Sequence, residues 1–247
     1  MSSPSVTAIV VSAGLETMLG FCLQGLRRAL AELPGGAHRL VVVDNASTTP
    51  YLADDLGADV ELLRFDLHRS FARANNLAAE RFPNDLYLLL NNDVLLAETA
   101  LARAVELLER APGAGVCGSR LLFPDGTVQH CGVVFADGKR GPYHFARGRP
   151  TRAVARANRE WQAVTGACML VRRAVWEELR GLDESYPFGL EDVDFCLRAR
   201  IAGWRVLCCD DVDSLHFESS TPGRAARDVD SRRLFLSRWR GRYGIDG

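Results

Sequence analysis

Asn91-Asn92-Asp93 follows directly on an apolar run, Leu86 to Leu90. An acid on a loop at the end of such a run suits Mg²⁺ or Mn²⁺, which take oxygen ligands, keep waters and accept substrate phosphates. The triplet equally fits a polar turn that closes a strand. Asp44-Asn45-Ala46-Ser47 repeats the pattern after Leu40 to Val43, with a helix cap as its structural alternative. Glu191-Asp192-Val193-Asp194 opens a helical pattern. Carboxylates in a first helical turn are favoured by the helix dipole alone, and the same dipole would keep one ionised as a general base for a hydroxyl. His216, in Ser214-Leu215-His216-Phe217, is a metal ligand or an ordinary surface or core histidine. The chain contains no G-x-x-x-x-G-K-[ST] and no G-x-S-x-G, which removes the P-loop and serine-hydrolase loops.

The elements that must position these groups follow from hydrophobic period and breakers. Val6 to Ser12, Leu40 to Val43, Val60 to Phe65 and Leu86 to Leu90 are predicted buried strands. Leu15, Met18, Leu19, Cys22, Leu23, Leu26 and Leu30 recur at helical spacing, and Pro34-Gly35-Gly36 ends that helix. Helices are predicted over 71–81 and about 98–110. This β-α-β-β-α-β-α order means a mostly parallel sheet covered on both faces, with ligands beyond the carboxyl ends of the strands. In the second half, Leu121 to Phe123 and Val128 to Phe135 flank Pro124-Asp125-Gly126 as a hairpin. Val164 to Val171 and Trp204 to Cys208 are predicted strands, with helices over about 191–202 and 225–240. Residues 136–160 are rich in Gly, Pro and Arg with little periodicity, and are predicted to form a long functional or mobile loop. There is no internal repeat, and one α/β domain over 1–247 is expected: a nucleotide-binding half (5–95), an acceptor half (96–220) and a basic C-terminal helix (221–247).

Thirty basic residues against 31 acidic give a net charge of -1, so nothing global points to nucleic acid. Seven cysteines without a C-x-x-C pair do not make a zinc or disulfide framework. Met1-Ser2-Ser3-Pro4 carries no basic segment leading into an apolar one, and no apolar run approaches the roughly 20 residues of a membrane helix. A cytoplasmic protein is expected.

Taken in order, these segments resemble glycosyltransferase family 2 with its GT-A fold, above all the bacterial rhamnosyltransferase-like branch. The resemblance spans about residues 6–220. It is carried by Val41-Val42-Val43-Asp44-Asn45-Ala46-Ser47, Phe71-Ala72-Arg73-Ala74-Asn75-Asn76, Leu88-Leu89-Leu90-Asn91-Asn92-Asp93, Pro124-Asp125-Gly126 with Gln129-His130, Val164-Thr165-Gly166-Ala167-Cys168, Glu191-Asp192-Val193-Asp194-Phe195-Cys196-Leu197-Arg198, and His216 with Ser219 and Ser220. Where the family usually has Ser-Tyr-Asn or Thr-Tyr-Asn after strand one, this chain has Ser12-Ala13-Gly14.

The resemblance implies an inverting transferase that moves a sugar from a nucleoside-diphosphate sugar, dTDP-rhamnose or a UDP-sugar, to a saccharide or lipid-linked acceptor. It implies Mg²⁺ or Mn²⁺ held by Asp93 and His216. Nucleotide contacts are implied for Ser12, Asp44, Arg73, Asn76 and Asn92, acceptor contacts for Gly166 and Ala167, and the base for Asp192 with Glu191 beside it. From their charge, Arg147 and Arg149 of the 136–160 stretch are expected to grip acceptor phosphate. That stretch also carries Lys139, Arg140, Arg152, Arg156 and Arg159, and is expected to order only around substrate. The tail, with Arg232, Arg233, Arg238, Arg240 and Arg242 around Leu234, Phe235 and Trp239, is expected to lie peripherally on the inner face of the cell membrane. Two other readings are a noncatalytic sugar-nucleotide-binding protein and a nucleotidyltransferase. The latter wants a Gly-rich basic loop after strand one, where Ser12 to Glu16 supplies one glycine and no base.

Overall fold

The computed structural model describes residues 3–14, 16–135, 141–218 and 224–245. Leu15, Lys139, Arg140, Ser219 and Ser220 lie outside them. The strands are β1 (Val6–Ser12), β2 (Arg39–Asn45), β3 (Val60–Phe65), β4 (Leu86–Asn91), β5 (Val94–Leu95), β6 (Ala114–Leu122), β7 (Val128–His130), β8 (Val133–Phe135), β9 (Pro142–His144), β10 (Cys168–Arg172) and β11 (Arg205–His216). The helices are α1 (Glu16–Ala31), α2 (Ala53–Leu56), α3 (Phe71–Arg81), α4 (Ala100–Arg110), α5 (Arg173–Leu179), α6 (Glu191–Ile201) and α7 (Arg224–Trp239).

One sheet runs through the molecule in the order β3-β2-β1-β4-β10-β6-β11-β5, with β7 added alongside β6. β3, β2, β1 and β4 are parallel, and β10 is inserted antiparallel between β4 and β6. β11 then runs parallel to β6. Alternate side chains serve two cores. Ala8, Val10 and Val42 pack beneath α1 and α4, while Ile9, Val41 and Val43 pack against α3, α5, α6 and α7. Burial on both faces is why the central strands are continuous apolar runs.

Three elements differ from expectation. The last strand continues past Cys208 to His216, through Asp210-Asp211-Val212-Asp213, a stretch too acidic to announce a strand. Those acids are paired: Asp210 accepts from the Ala157 and Asn158 backbone N–H groups, and Asp213 pairs with Arg156 and the buried Arg120. The hairpin arm 128–135 breaks at Gly132, where a Cβ would stand 2.2 Å from the Trp161 ring. β7 then stays with β6, and β8 leaves to pair with β9. Finally, 141–160 is held in place by β9, a 3₁₀ turn at Thr151–Ala153 and the Asp210 and Asp213 contacts, so this part of the expected mobile loop is anchored.

The tail also departs from expectation. Phe235 is 0% and Trp239 6% exposed. Phe235 stacks with Phe135, and Trp239 donates from Nε1 to Asp194 Oδ1 at 2.8 Å. Phe235 and Trp239 are therefore consumed by the core, and the expected membrane contact through them is withdrawn. Among the described residues no helix is long and apolar enough to cross a membrane.

Candidate functional site

Strand ends and the start of α6 surround one cleft of about 490 Å³. Asn92, Asp93, Arg147, Gly166, Ala167, Glu191, Asp192 and His216 all line it, so groups far apart in the chain meet in one place. The turn after β4 carries Asn92 and Asp93. Asn92 Nδ2 donates to Ser12 Oγ at 2.8 Å, which ties that turn to the end of β1.

Asp93 is 5% exposed, and its Oδ1 lies 3.1 Å from His216 Nε2. Gln129 fixes the histidine. Its Nε2 donates to the His216 carbonyl at 3.3 Å, which turns Oε1 toward His216 Nδ1 at 2.5 Å. A carbonyl oxygen only accepts, so His216 Nδ1 carries a hydrogen and donates it. Nε2 is left with its lone pair facing a carboxylate oxygen at 3.1 Å, with Asn91 Nδ2 farther off at 3.5 Å, an arrangement that suits a cation between ring and carboxylate. Two adjacent ligands about 2.1 Å from an octahedral Mg²⁺ or Mn²⁺ stand about 3 Å apart, which matches this spacing. Imidazole, carboxylate and an amide oxygen orienting the imidazole make a coherent donor set for such an ion. Among the described residues no third His, Cys, Asp or Glu joins the pair, leaving the other positions to water and phosphate.

Glu191 and Asp192 open α6 but meet different surroundings. Asp192 Oδ2 accepts from the Gly166 N–H at 2.7 Å and Oδ1 from the Val193 N–H at 2.8 Å. A Cβ on Gly166 would stand 3.1 Å from Asp192 Cβ, so glycine lets this backbone approach. Burial raises the Asp192 carboxyl above its usual range, and the two N–H groups work against that rise. Glu191 is 6% exposed, and among the described residues its Oε2 has no hydrogen-bond partner. Burial, then the neighbouring Asp192, pushes it up to about 8. For Glu191 desolvation therefore outweighs the helix dipole expected to keep this cluster ionised. Asp194 turns inward and accepts from Tyr186, Arg198 and Trp239, so the last acid of the motif is structural.

Five expected contacts stand away from the cleft wall. Asp44 is 0% exposed. Its oxygens take the Ser47 N–H at 2.9 Å, the Tyr51 N–H at 3.1 Å and the Arg64 guanidinium. Burial would raise its carboxyl, but these three donors hold it below the ordinary range. Asp44 thus orders the loop while its neighbour Asn45 lines the cleft. Arg73 and Asn76 lie on a separate depression with Glu184: Arg73 pairs with Glu184 at 3.1 Å, and Asn76 exchanges hydrogen bonds with Leu182. Helical spacing from Phe71, which does line the cleft, carries both around the far side of α3. Arg149 is exposed on a turn outside the cleft, whereas Arg147 pairs with Glu218 at 2.6 Å and lies over Phe123. Ser12 sits beneath the surface, where the Tyr51 hydroxyl meets Ser12 Oγ at 2.7 Å and the Gly14 N–H at 3.1 Å. A tyrosine from a later loop thus packs behind the Ser12-Ala13-Gly14 turn.

Asn45, Arg69, Gln129, His144 and Glu218 also line the cleft and were not singled out individually by sequence. Arg69 immediately precedes Ser70, the cap of α3, whose side chain accepts from the Arg73 N–H. A helix-cap signal preceded by a basic residue was the available clue.

The family model described as "Glycosyltransferase like family 2" matches residues 4–233, and this chain belongs to that family. It is 30% identical over 229 residues to the O-antigen biosynthesis protein RfbC of Myxococcus xanthus, covering 89% of this chain and 18% of that protein. It is 28% identical over 228 residues to an N-acetylglucosaminyl-diphospho-decaprenol L-rhamnosyltransferase of Mycobacterium tuberculosis, covering 81% and 74%. The chain thus spans under a fifth of the first relative's length. A mannosyltransferase from Pyrobaculum calidifontis, solved with GDP-Man and Mn²⁺, superposes with a TM-score of 0.70 at 17% identity, over 99% of this chain and 66% of that one. The fold is GT-A.

Proposed function

We propose that the chain transfers a sugar from a nucleoside-diphosphate sugar to a hydroxyl of a saccharide or lipid-linked acceptor, by single displacement with inversion. One observation carries the reading: a carboxylate held by two backbone N–H groups, Asp192, shares a cleft with the Asp93–His216 pair. Asp93 and His216 hold Mg²⁺ or Mn²⁺. A divalent ion held there would supply positive charge for the departing diphosphate, worth several kcal/mol in the transition state. Arg69 and Arg147 add positive charge to a cleft that otherwise carries Asp93, Asp192 and Glu218. Asp192 takes the proton of the attacking hydroxyl, a contribution of about 10²–10⁴-fold. A carboxyl pushed up to about 8 is mostly neutral at pH 7, so Glu191 is ill suited as base or nucleophile. One ionised carboxylate beside the acceptor fits displacement without a covalent intermediate.

The relative from Mycobacterium tuberculosis is named for rhamnosyl transfer to a diphospho-decaprenol sugar, which makes dTDP-rhamnose and a lipid diphosphate acceptor the first pair to assay. Asp192→Asn is expected to keep donor binding and to lose transfer by at least about 100-fold. Retained transfer in Asp192→Asn together with a dead Glu191→Gln would reverse the assignment.

A further inference from the structure

His130 and His144 form a second histidine pair beside the Gln129–His216 unit, and neither has a role in the reaction as proposed. His130 is 0% exposed. Burial, with His144 and His216 nearby, pushes its imidazole well below the ordinary range. The hydrogens on this pair can be assigned from their neighbours. The Thr165 backbone N–H points at His130 Nε2 at 3.3 Å. A backbone N–H only donates, so His130 Nε2 accepts and bears no hydrogen. A neutral His130 then carries its hydrogen on Nδ1, 3.0 Å from His144 Nδ1. His144 Nδ1 must accept it. That leaves His144 with its hydrogen on Nε2, on a ring that lines the cleft. The two rings meet edge to face, centroids 4.8 Å apart, which holds the geometry of the contact.

The direction of this chain is set by the backbone that also holds the base. Thr165 N–H engages His130, and the next amide, Gly166 N–H, engages Asp192 Oδ2 at 2.7 Å. Two consecutive peptide groups thus anchor the His130–His144 pair and Asp192 to one backbone segment, and His144 and Asp192 both line the cleft.

We propose that His130 is a positioning residue that locks His144 as the Nε2–H tautomer, and that His144 donates this hydrogen to an oxygen of the acceptor saccharide beside Asp192. A neutral N–H donor suits a sugar hydroxyl, and it orients an acceptor lone pair without competing for the proton that Asp192 removes. The proposal rests on the transferase reading above and adds the residue that orients the acceptor.

Two measurements test it. Long-range ¹H–¹⁵N correlation spectra of the ¹⁵N-labelled wild type report histidine tautomers directly and need no turnover. At pH 7, His130 is expected as Nδ1–H and His144 as Nε2–H; His144 found as Nδ1–H or doubly protonated overturns the proposal. In kinetics, the probes are dTDP-rhamnose and a synthetic N-acetylglucosaminyl diphosphate with a short alkyl chain. His144→Leu is expected to raise the acceptor KM about tenfold, the loss of one neutral hydrogen bond, and the donor KM by much less. His144→Gln, whose side-chain amide nitrogen replaces Nε2, is expected to stay within about threefold of wild type. His130→Asn, which keeps a donor toward His144, is expected to outperform His130→Leu in acceptor KM. An unchanged acceptor KM in His144→Leu, or equal rises for donor and acceptor, overturns the proposal. A folded wild type with neither transfer nor donor hydrolysis sinks the transferase reading instead, and the acceptor role falls with it even if the spectra show the expected tautomers.

Discussion

Replacing Gln129 by leucine removes the group that decides which nitrogen of His216 faces Asp93. Gln129 is 2% exposed and makes two hydrogen bonds to one residue, to the ring at 2.5 Å and to the backbone at 3.3 Å. Without the Oε1 acceptor, the His216 ring is free to carry its hydrogen on Nε2, and in that tautomer Nε2 cannot bind a cation. Partners of metal-binding histidines are worth about 10–100-fold in metal affinity, or about 1.4–2.7 kcal/mol. Leucine also leaves a buried carbonyl unpaired, at about 1–3 kcal/mol of stability and a few degrees of melting temperature per kcal/mol. The melting curve is therefore checked first, and Mn²⁺ binding is then titrated by the loss of the free-ion EPR signal. Gln129→Glu is the control: a carboxylate still accepts from Nδ1, so affinity is expected within about threefold of wild type. If the folded Gln129→Leu protein binds Mn²⁺ within twofold of wild type, the tautomer reasoning is wrong.

Other outcomes follow from the same geometry. Asp194→Ala strips the partner from Trp239, Tyr186 and Arg198 in a site 1% exposed, an expected loss of about 3–5 kcal/mol, or roughly 10 °C by calorimetry. A shift under 2 °C would show that α7 is held by other contacts. Glu191 has a folded pKa of about 8, above the unfolded value, so its contribution to stability is full below about pH 4.3 and is lost as pH rises toward 8. Glu191→Gln is accordingly expected to gain on wild type, melt by melt, between pH 5 and 8; a difference that stays constant across that window would refute the buried, protonated assignment. Because burial also raises Asp192, transfer is expected to climb with pH through the apparent values of the pair, and a flat profile counts against Asp192 as base.

The parallel half of the sheet was legible because its inner strands are buried on both faces, so β1, β2 and β4 are apolar runs, while the edge strand β3 carries Glu61 and Arg64. That Asp93, Asp192 and His216 meet in one cleft was legible because strand ends and a helix start are where such folds gather ligands. What sequence could not show was direction. Arg73 and Asn76 share a helix with Phe71, yet only Phe71 faces the cleft. Asp44 stands at the right strand end but is consumed by its own loop. β11 was cut short because its acids find partners, Arg120, Arg156 and two amides, that are 52 to 93 residues away. The basic tail looked like a membrane anchor because Phe235 and Trp239 gave no sign that Phe135 and Asp194 await them. Gln129 and His130 were visible only as part of a short motif; their work depends on His216, His144 and Thr165, brought together by the fold.

The measurement closest to the central claim is a thermal shift with dTDP, UDP and GDP, with and without Mn²⁺, on wild type and Asp93→Ala. Ligands that bind only the folded state stabilise it by mass action, about 2.7 kcal/mol at 100 times Kd. Wild type is expected to gain several degrees from at least one nucleoside diphosphate when Mn²⁺ is present and little in EDTA, while Asp93→Ala, with an unchanged ligand-free melt, gains nothing from Mn²⁺. Equal stabilisation in EDTA, or undiminished Mn²⁺-dependent stabilisation of Asp93→Ala, would contradict a cation held by Asp93 and His216 at the diphosphate.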